Sequence, residues 1–199
     1  MSENTFLQHY EINQQRREEQ NGHRARLVWY TGLSGSGKST LANAVEHALF
    51  KKGVKTYTLD GDNIRRGINK NLGFSREDRL ENLRRIAEIA KLMVETGLVV
   101  NAAFISPLIS DRELVREIVG QEHFIEVYVA TSLEECERRD IKGLYQKARS
   151  GQIPNFTGIS APYEPPEQAD ITVDTENKDI SSCAEEIIKS ITLKIKLHA

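Results

Sequence analysis

The sequence has few of the features that mark secreted or membrane-embedded proteins. Its 199 residues include two cysteines, five prolines and one tryptophan. Cys136 and Cys183 lie far apart and form neither a disulfide framework nor a zinc-binding spacing. No apolar run approaches the ~20 residues that span a bilayer, and the polar N-terminus lacks the apolar core of a signal peptide. We therefore expect a cytoplasmic protein with reduced thiols and no membrane contact.

An excess of charge of one sign is also lacking. The 27 basic and 29 acidic residues give a formal net charge of −2, and 39% of the residues are hydrophobic. This balance gives no reason to expect nucleic-acid binding, and the length suits one domain with a full core. We expect the polar residues 1–23 to form a partly helical N-terminal arm, and residues 24–199 to form the domain.

Short β-branched and aromatic segments alternate with amphipathic segments along the domain. The predicted strands are 26–31, 55–60, 98–104, 124–130 and 169–174, and the predicted helices are 41–52, 75–96, 110–119, 132–149 and 179–195. In the second helix Ser75 can cap the start and Gly97 follows the end. One buried stripe is predicted there, made of Leu80, Leu83, Ala87, Ala90 and Val94. The alternation predicts an α/β fold, a parallel sheet of about five strands with helices on both faces.

A long segment near the C-terminus interrupts this alternation. Residues 151–168 contain four of the five prolines, together with Phe156 and Tyr163. A loop of that length in a compact domain is typical of a lid. We expect a lid over about residues 140–168, close to the carboxyl ends of the strands where ligands bind in such sheets.

Residues 32–39, GLSGSGKS, fit the phosphate-binding pattern G-x-x-x-x-G-K-[ST] between a predicted strand and a predicted helix. Glycines let backbone N–H groups turn toward an anion, and the helix N-terminus favours negative charge. Lys38 adds a charge for the outer phosphates and Ser39 a hydroxyl for Mg²⁺. The expected ligand is a nucleoside triphosphate with magnesium, bound by Gly32, Leu33, Ser34, Gly35, Ser36, Gly37, Lys38, Ser39 and Thr40.

The residues after the second strand favour a kinase over a GTPase. No D-x-x-G follows that strand, and the closest approach to N-K-x-D ends in Ile180. Asp60 and Asp62 lie at the strand's carboxyl end, where a carboxylate can organise the metal's water shell or accept the proton of an attacking hydroxyl. Alternatively they cap the next helix, and both roles can coexist.

A cluster of arginines follows the acidic pair and predicts an anionic second substrate, itself a nucleotide. Forked guanidinium groups match phosphate or sulfate oxygens, and a nearby aromatic ring can stack on a base. The cluster contains Arg65, Arg66 and Arg79, with Phe74 and Asn82. The alternative is a solvated basic helix face, which suits Arg84 and Arg85 best. Ser106, after the third strand, either binds a substrate phosphate, accepts a phosphoryl group, or is a simple loop serine.

Several blocks in this order resemble the adenylylsulfate kinases, which phosphorylate adenosine 5′-phosphosulfate (APS) in sulfate assimilation. They are WYTGLSGSGKST, LDGDNIRRGIN, LGFSREDRLENLRRIAEIAKL, FISP, DR at 111–112, KGLYQKAR and FTGISAPYEPPE. The resemblance spans about residues 22–175 and implies the reaction ATP + APS → ADP + 3′-phosphoadenylyl sulfate (PAPS). The family commonly has proline where this chain has Ile141, and aspartate where it has Ser160.

The resemblance also implies roles for individual residues. APS would be held by Asp62, Arg65, Phe74, Arg79 and Asn82, with Phe156 closing over the adenine. Ile105 and Ser106 would contact the phosphosulfate region, and Lys142 would approach the phosphates during transfer. Asp60 would manage the metal or the 3′-hydroxyl. A phosphoserine at Ser106 is implied by some members, although direct in-line transfer needs no covalent step. A homodimer is implied as well.

Two rival functions follow from the same residues. The chain could be a different small-molecule kinase, one that acts on a nucleoside monophosphate or another anion. It could also be a binding module in which ATP only switches the conformation. The acidic pair beside an anion pocket argues against the second rival.

Overall fold

A computed structural model describes residues 6, 8 and 10–197. Five parallel strands form one sheet in the order β2-β3-β1-β4-β5. The strands are β1 Arg26–Thr31, β2 Thr56–Asp60, β3 Val99–Ala103, β4 Phe124–Val129 and β5 Ile171–Val173. The helices are α1 Gln14–Asn21, α2 Lys38–Lys51, α3 Gly61–Arg66, α4 Arg76–Glu95, α5 Ile109–Val119, α6 Leu133–Arg139, α7 Leu144–Arg149 and α8 Ile180–Ile195, and a 3₁₀ turn covers Gln121–His123. The predicted parallel sheet is confirmed.

Helices cover both faces of the sheet, as the alternation predicts. Successive residues of a strand point to opposite faces, and β1 supplies both cores. Val28 and Tyr30 pack with α2 and α8, whereas Leu27 and Trp29 pack with α4 and α5. All four of these side chains are fully buried. The central strand is therefore buried on both sides, and its carboxyl end is held rigidly where the glycine loop begins.

Helix α4 has the predicted ends but a shifted apolar face. Ser75 Oγ accepts a hydrogen bond from Asp78 N at 3.1 Å, and Gly97 follows the helix with φ +89°. The prediction for Leu80 is wrong, since this side chain is exposed, while Ile86 joins the buried stripe. The buried face of the helix therefore begins at Asn82 and Leu83.

The single helix predicted over 132–149 is also wrong, because α6 and α7 are separate. Asp140 and Gly143 lie between them, and Gly143 has φ +62°. The Asp140 carboxylate accepts hydrogen bonds from Tyr145 N and Gln146 N, at 3.1 and 3.0 Å, in the first turn of α7. The turn projects Lys142 away from the helix axes.

The N-terminal arm contains α1, so its helical part is confirmed, while residues 1–5, 7 and 9 lie outside the described residues. The end of α1 is tied to the sheet because Asn21 Nδ2 donates to Gly97 O at 3.1 Å. Glu18 Oε1 accepts from Ala25 N at 2.8 Å. The boundaries of the arm and of the lid stay predictions. In the described part of the chain, no helix is long and apolar enough to cross a membrane.

Candidate active site

The glycine loop between β1 and α2 has a backbone that only glycine adopts readily. Gly32, Gly35 and Gly37 have φ values of +150°, +77° and +102°. At Gly32 a Cβ would lie 2.7 Å from Val129 O, so a side chain there would also collide with β4. The conformation turns the loop around the start of α2, whose free N–H groups attract anions.

Lys38, the first residue of α2, reaches back over this loop. Its Nζ donates to Leu33 O at 2.7 Å and to Ser36 Oγ at 3.4 Å. The side chain is only 8% exposed, and this burial lowers the pKa of Lys38 from 10.5 to about 8. The ammonium group therefore lies inside the phosphate cradle, partnered by neutral oxygens.

The carboxylate at the end of β2 faces the glycine loop. Asp60 Oδ2 accepts a hydrogen bond from Ser39 Oγ at 2.6 Å. Asp60 Oδ1 accepts from Asp62 N at 3.0 Å and from Asn63 N at 3.4 Å, which caps α3. The alternative raised for this residue is thus real: Asp60 is a helix cap, and its second oxygen remains directed at Ser39.

Arg65 and Phe74 form a cation–π pair beside this carboxylate. The Arg65 guanidinium lies 4.4 Å from the Phe74 ring centre, and its Nη1 donates to Gly73 O at 2.9 Å. Burial and next the charge of Arg79 lower the pKa of Arg65, so the two cations lie near one another. Phe74 is 66% exposed, which leaves much of its ring uncovered for a flat ligand.

Arg79 joins α4 to the loop predicted to be a lid. Its Nη1 donates to Thr157 Oγ1 at 3.1 Å and its Nη2 to Asn155 O at 2.7 Å. Its Nε donates to Phe74 O at 3.0 Å. Asn82, one turn later, points inward instead: it is buried, and its Oδ1 accepts from Asn69 Nδ2 at 3.0 Å.

Two further predicted residues lie after α6: Lys142 precedes α7, and Phe156 lies in the loop after it. Lys142 Nζ forms an ion pair with Asp62 Oδ2 between two exposed side chains. Phe156 packs edge-on against Tyr145, with ring centres 5.0 Å apart. Tyr145 OH donates to Ser34 O at 2.8 Å. The loop predicted to be a lid thereby contacts the glycine loop through Tyr145, a residue that the sequence reasoning missed.

Ser106 is not presented to the cleft in this conformation. It is 3% exposed, and its Oγ accepts a hydrogen bond from Trp29 Nε1 at 3.0 Å. Its backbone has φ +39°. The neighbouring Ile105 carbonyl accepts from Thr31 Oγ1 at 2.8 Å. A phosphoryl group on Ser106 would require the indole contact to break, so the role of this hydroxyl stays a prediction.

Arg112 is a buried residue that connects several elements of the fold, and sequence reasoning did not single it out. Its Nε forms an ion pair with Glu126 Oε1 at 2.8 Å. Its Nη1 and Nη2 donate to Ser106 O and Glu164 O, each at 2.9 Å. One guanidinium thus joins β4, the loop after β3 and the base of the lid loop. Only the Asp-Arg pair quoted in the resemblance pointed to it.

A parallel sheet with this glycine loop after β1 and a carboxylate at the end of β2 defines a nucleoside-triphosphate-dependent kinase of the P-loop class. Solved kinases share the architecture at low identity. A gluconokinase from Sinorhizobium meliloti has a TM-score of 0.53 at 17% identity, covering 85% of this chain and 92% of its own. That likeness concerns the fold.

The comparisons at higher identity give the family. The family model for adenylylsulphate kinase matches residues 24–174, so the chain belongs to that family. An adenylyl-sulfate kinase of Staphylococcus epidermidis is 58% identical over 90% of each chain, and one of Acaryochloris marina is 57% identical over 89% of this chain and 87% of its own. The APS kinase of Mycobacterium tuberculosis, solved with AMPPNP and APS, is 47% identical with a TM-score of 0.82, covering 85% and 98%.

Proposed function

We propose that this protein transfers the γ-phosphoryl group of ATP to the 3′-hydroxyl of APS, giving PAPS and ADP. The observation that carries the proposal is a pair of cationic regions joined by two carboxylates. The glycine loop with Lys38 forms one region, and Arg65 with Arg79 forms the other. Asp60 and Asp62 lie between them. The relatives named above support this choice of substrates.

The glycine loop suits the triphosphate of ATP. Backbone N–H groups of the loop and of the α2 N-terminus would bind the phosphate oxygens. Lys38 would exchange its bond to Leu33 O for one to a phosphate oxygen, because its ammonium group already lies within the cradle. Charge that builds on the γ-phosphate during transfer is then met by a positioned cation in a site with little water.

The oxygens of Ser39 and Asp60 fit magnesium. Mg²⁺ prefers oxygen ligands and is usually held by one or two protein groups together with phosphates and water. The Ser39 hydroxyl and an Asp60 oxygen lie 2.6 Å apart. This distance supports a role for both in holding one hydrated Mg²⁺ ion. When bound, the ion would neutralise charge on the β- and γ-phosphates.

The second region suits the nucleotide and anionic parts of APS. Arg65, Arg79 and Asp62 would bind its polar groups, with Asn82 behind them. Phe74 and Phe156 offer two aromatic rings for the adenine. Phe74 lies against Arg65, and Phe156 follows Asn155, whose carbonyl accepts from Arg79. Lys142 now pairs with Asp62, and it would turn to the transferring phosphoryl group once the phosphates arrive. Ile105 would line the far side of the APS pocket, and Ser106 would join it once its contact with Trp29 breaks.

The transfer itself needs one new bond, one broken bond and one proton acceptor. The 3′-oxygen of APS attacks the γ-phosphorus, the bond from that phosphorus to the ADP oxygen breaks, and the hydroxyl proton leaves. Asp60 or Asp62 would accept this proton, since both carboxylates lie between the two regions. Closing the lid would exclude water, which otherwise competes as the acceptor.

An APS-dependent assay of ADP release tests the proposal. We expect turnover with ATP and APS, and little or none when AMP, CMP or shikimate replaces APS. A preference for AMP, CMP or shikimate would show a different small-molecule kinase. Tight ATP binding with no turnover on any acceptor would favour the binding module.

Two variants make the assay specific to the proposed site. Lys38→Ala removes the charge beside the γ-phosphate, so kcat should fall by about 10³-fold or more. Arg79→Ala should raise KM for APS by at least about tenfold and leave KM for ATP within about twofold. Arg84→Ala is the matched control, because that arginine pairs on the exposed face of α4 with Glu81. An equal effect of Arg79→Ala on both substrates would refute its assignment.

We further propose that the protein is a homodimer, as the family resemblance implies. A structural relative from Thiobacillus denitrificans is described as a hexameric APS kinase, and this chain covers 30% of it. Light scattering on the purified protein distinguishes the outcomes by mass: one chain is 22.5 kDa. A monomer or hexamer at micromolar concentration would refute the dimer.

A further inference from the structure

Two buried threonines lie directly beneath the glycine loop. Thr131 follows β4 and Thr175 follows β5, and each is only 4% exposed. Both Oγ1 atoms lie 3.0 Å from Ser36 O, and they lie 2.7 Å from each other. None of the roles considered above uses either hydroxyl. The two hydroxyls and the Ser36 carbonyl therefore form a buried polar contact between the threonines and the backbone of the glycine loop.

Counting protons shows how the two hydroxyls share the contact with Ser36 O. Each hydroxyl has one proton to donate, so two protons serve three oxygen–oxygen contacts. The contact of 2.7 Å between Thr131 and Thr175 is the shortest, and it needs a proton to be attractive. One threonine therefore donates to the other, which donates to Ser36 O. Because each Oγ1 lies 3.0 Å from Ser36 O, removing one hydroxyl leaves the other free to donate to that carbonyl, and only the loss of both releases it.

Arg139 supports the pair from the outside. Its Nη1 donates to Thr175 Oγ1 at 2.9 Å and its Nη2 to Thr175 O at 2.7 Å. Arg139 is itself fixed by an ion pair between its Nε and Glu135 Oε1 at 2.7 Å. A hydroxyl that accepts from a guanidinium is a stronger donor to its own acceptor, because hydrogen bonds in a chain polarise one another.

The held carbonyl determines where the next N–H group points. Ser36 C=O and Gly37 N–H belong to one trans peptide unit, in which the two bonds point in opposite directions. Because the threonines hold the carbonyl from below, the N–H group is directed away from them, toward the concave side where Lys38 lies. We propose that Thr131 and Thr175 are positioning residues that orient this peptide for the triphosphate of ATP. The inference rests on the proposed function, since it assigns them to its ATP site.

Binding of AMPPNP with Mg²⁺, measured by calorimetry, tests this role without relying on turnover. Valine has nearly the shape of threonine but no hydroxyl. We expect Thr131→Val and Thr175→Val each to raise the Kd of AMPPNP by less than about threefold, because one donor remains, and the double variant to raise it about tenfold or more. Thr175→Ser keeps the hydroxyl and should bind within about threefold of the wild type. KM for APS should stay within about twofold in all of them.

Thr192→Val is the matched control, because Thr192 Oγ1 also donates to a carbonyl, Ile188 O at 2.7 Å, but within α8. It should leave AMPPNP binding unchanged. A double valine variant that binds AMPPNP as tightly as the wild type would overturn the inference, as would an equal loss for APS or a tenfold loss for Thr175→Ser. Thr175→Ala replaces Thr175→Val if valine prevents folding. A wild-type protein that does not bind AMPPNP would instead refute the proposed function.

Discussion

The buried ammonium group of Lys38 makes nucleotide affinity depend on pH. Burial, the largest cause, lowers its pKa from 10.5 to about 8, because desolvation disfavours the charged form. A triphosphate bound against the group favours the charged form and raises this pKa again. Above pH 8 the nucleotide must therefore bind together with a proton.

The size of the effect follows from the two pKa values of Lys38. In the free protein about 10% of the lysine is neutral at pH 7 and about 90% at pH 9, one unit on either side of the pKa. If binding restores a pKa of 10.5 or more, the apparent Kd of AMPPNP rises about tenfold between pH 7 and pH 9. About 0.8 to 0.9 proton is taken up per nucleotide at pH 9.

Calorimetry at pH 7, 8 and 9, in two buffers with different ionisation enthalpies, measures both quantities. The difference in heat between buffers gives the number of protons taken up. Lys38→Arg is the control, because the pKa of arginine stays above about 12, so its Kd should be flat from pH 7 to pH 9. A wild-type protein with the same Kd at both ends of the range, and no heat difference between buffers, would refute the reasoning.

Three other predictions concern neighbouring groups. Asp60→Asn keeps a good helix cap, so melting should change little, while kcat falls about 100-fold and more Mg²⁺ is needed; unchanged kcat in a magnesium titration would contradict this. Ser106→Ala should retain kcat within about tenfold, and intact mass spectrometry of the wild type with ATP should show no phosphoprotein; a stable phosphoserine would contradict direct transfer. Glu126→Gln leaves Arg112 buried without its ion pair, so urea unfolding should show a loss of about 3 kcal/mol, and a loss below about 1 kcal/mol would contradict it.

Local features of the chain could be predicted because their causes lie within a few residues. The five strands are short β-branched runs, and α4 has Ser75 at its start and Gly97 beyond its end. The glycine loop is equally local, since Gly32, Gly35 and Gly37 each need a positive φ that other residues rarely adopt. Sequence spacing therefore carries the fold class and the backbone conformation of the glycine loop.

Tertiary contacts account for the differences from the predictions. Leu80 has helical spacing but is exposed, and the buried face of α4 begins only at Asn82 and Leu83. The break between α6 and α7 depends on hydrogen bonds from the first turn of α7 to Asp140. Hydrophobic periodicity does not detect this break and predicts one continuous helix. Ser106, in the loop after β3, contacts Trp29 of the neighbouring strand β1, which lies 77 residues away in the sequence. No repeat in the sequence reports such a pairing, so the burial of this serine could not be predicted.

The cations assigned to substrates share a feature that only the folded chain reveals. Lys38 donates to Leu33 O, Arg79 to Asn155 O, and Lys142 pairs with Asp62. A charge in a partly buried cleft is costly without a partner, and for Lys38 and Arg79 these protein oxygens supply one before substrate arrives, whereas the Lys142 pair is exposed. On the proposed assignment, binding exchanges a protein oxygen for a phosphate or sulfate oxygen at each cation. A neutral ligand gains little from this exchange and a polyanion gains more, in agreement with the two charged nucleotides proposed as substrates.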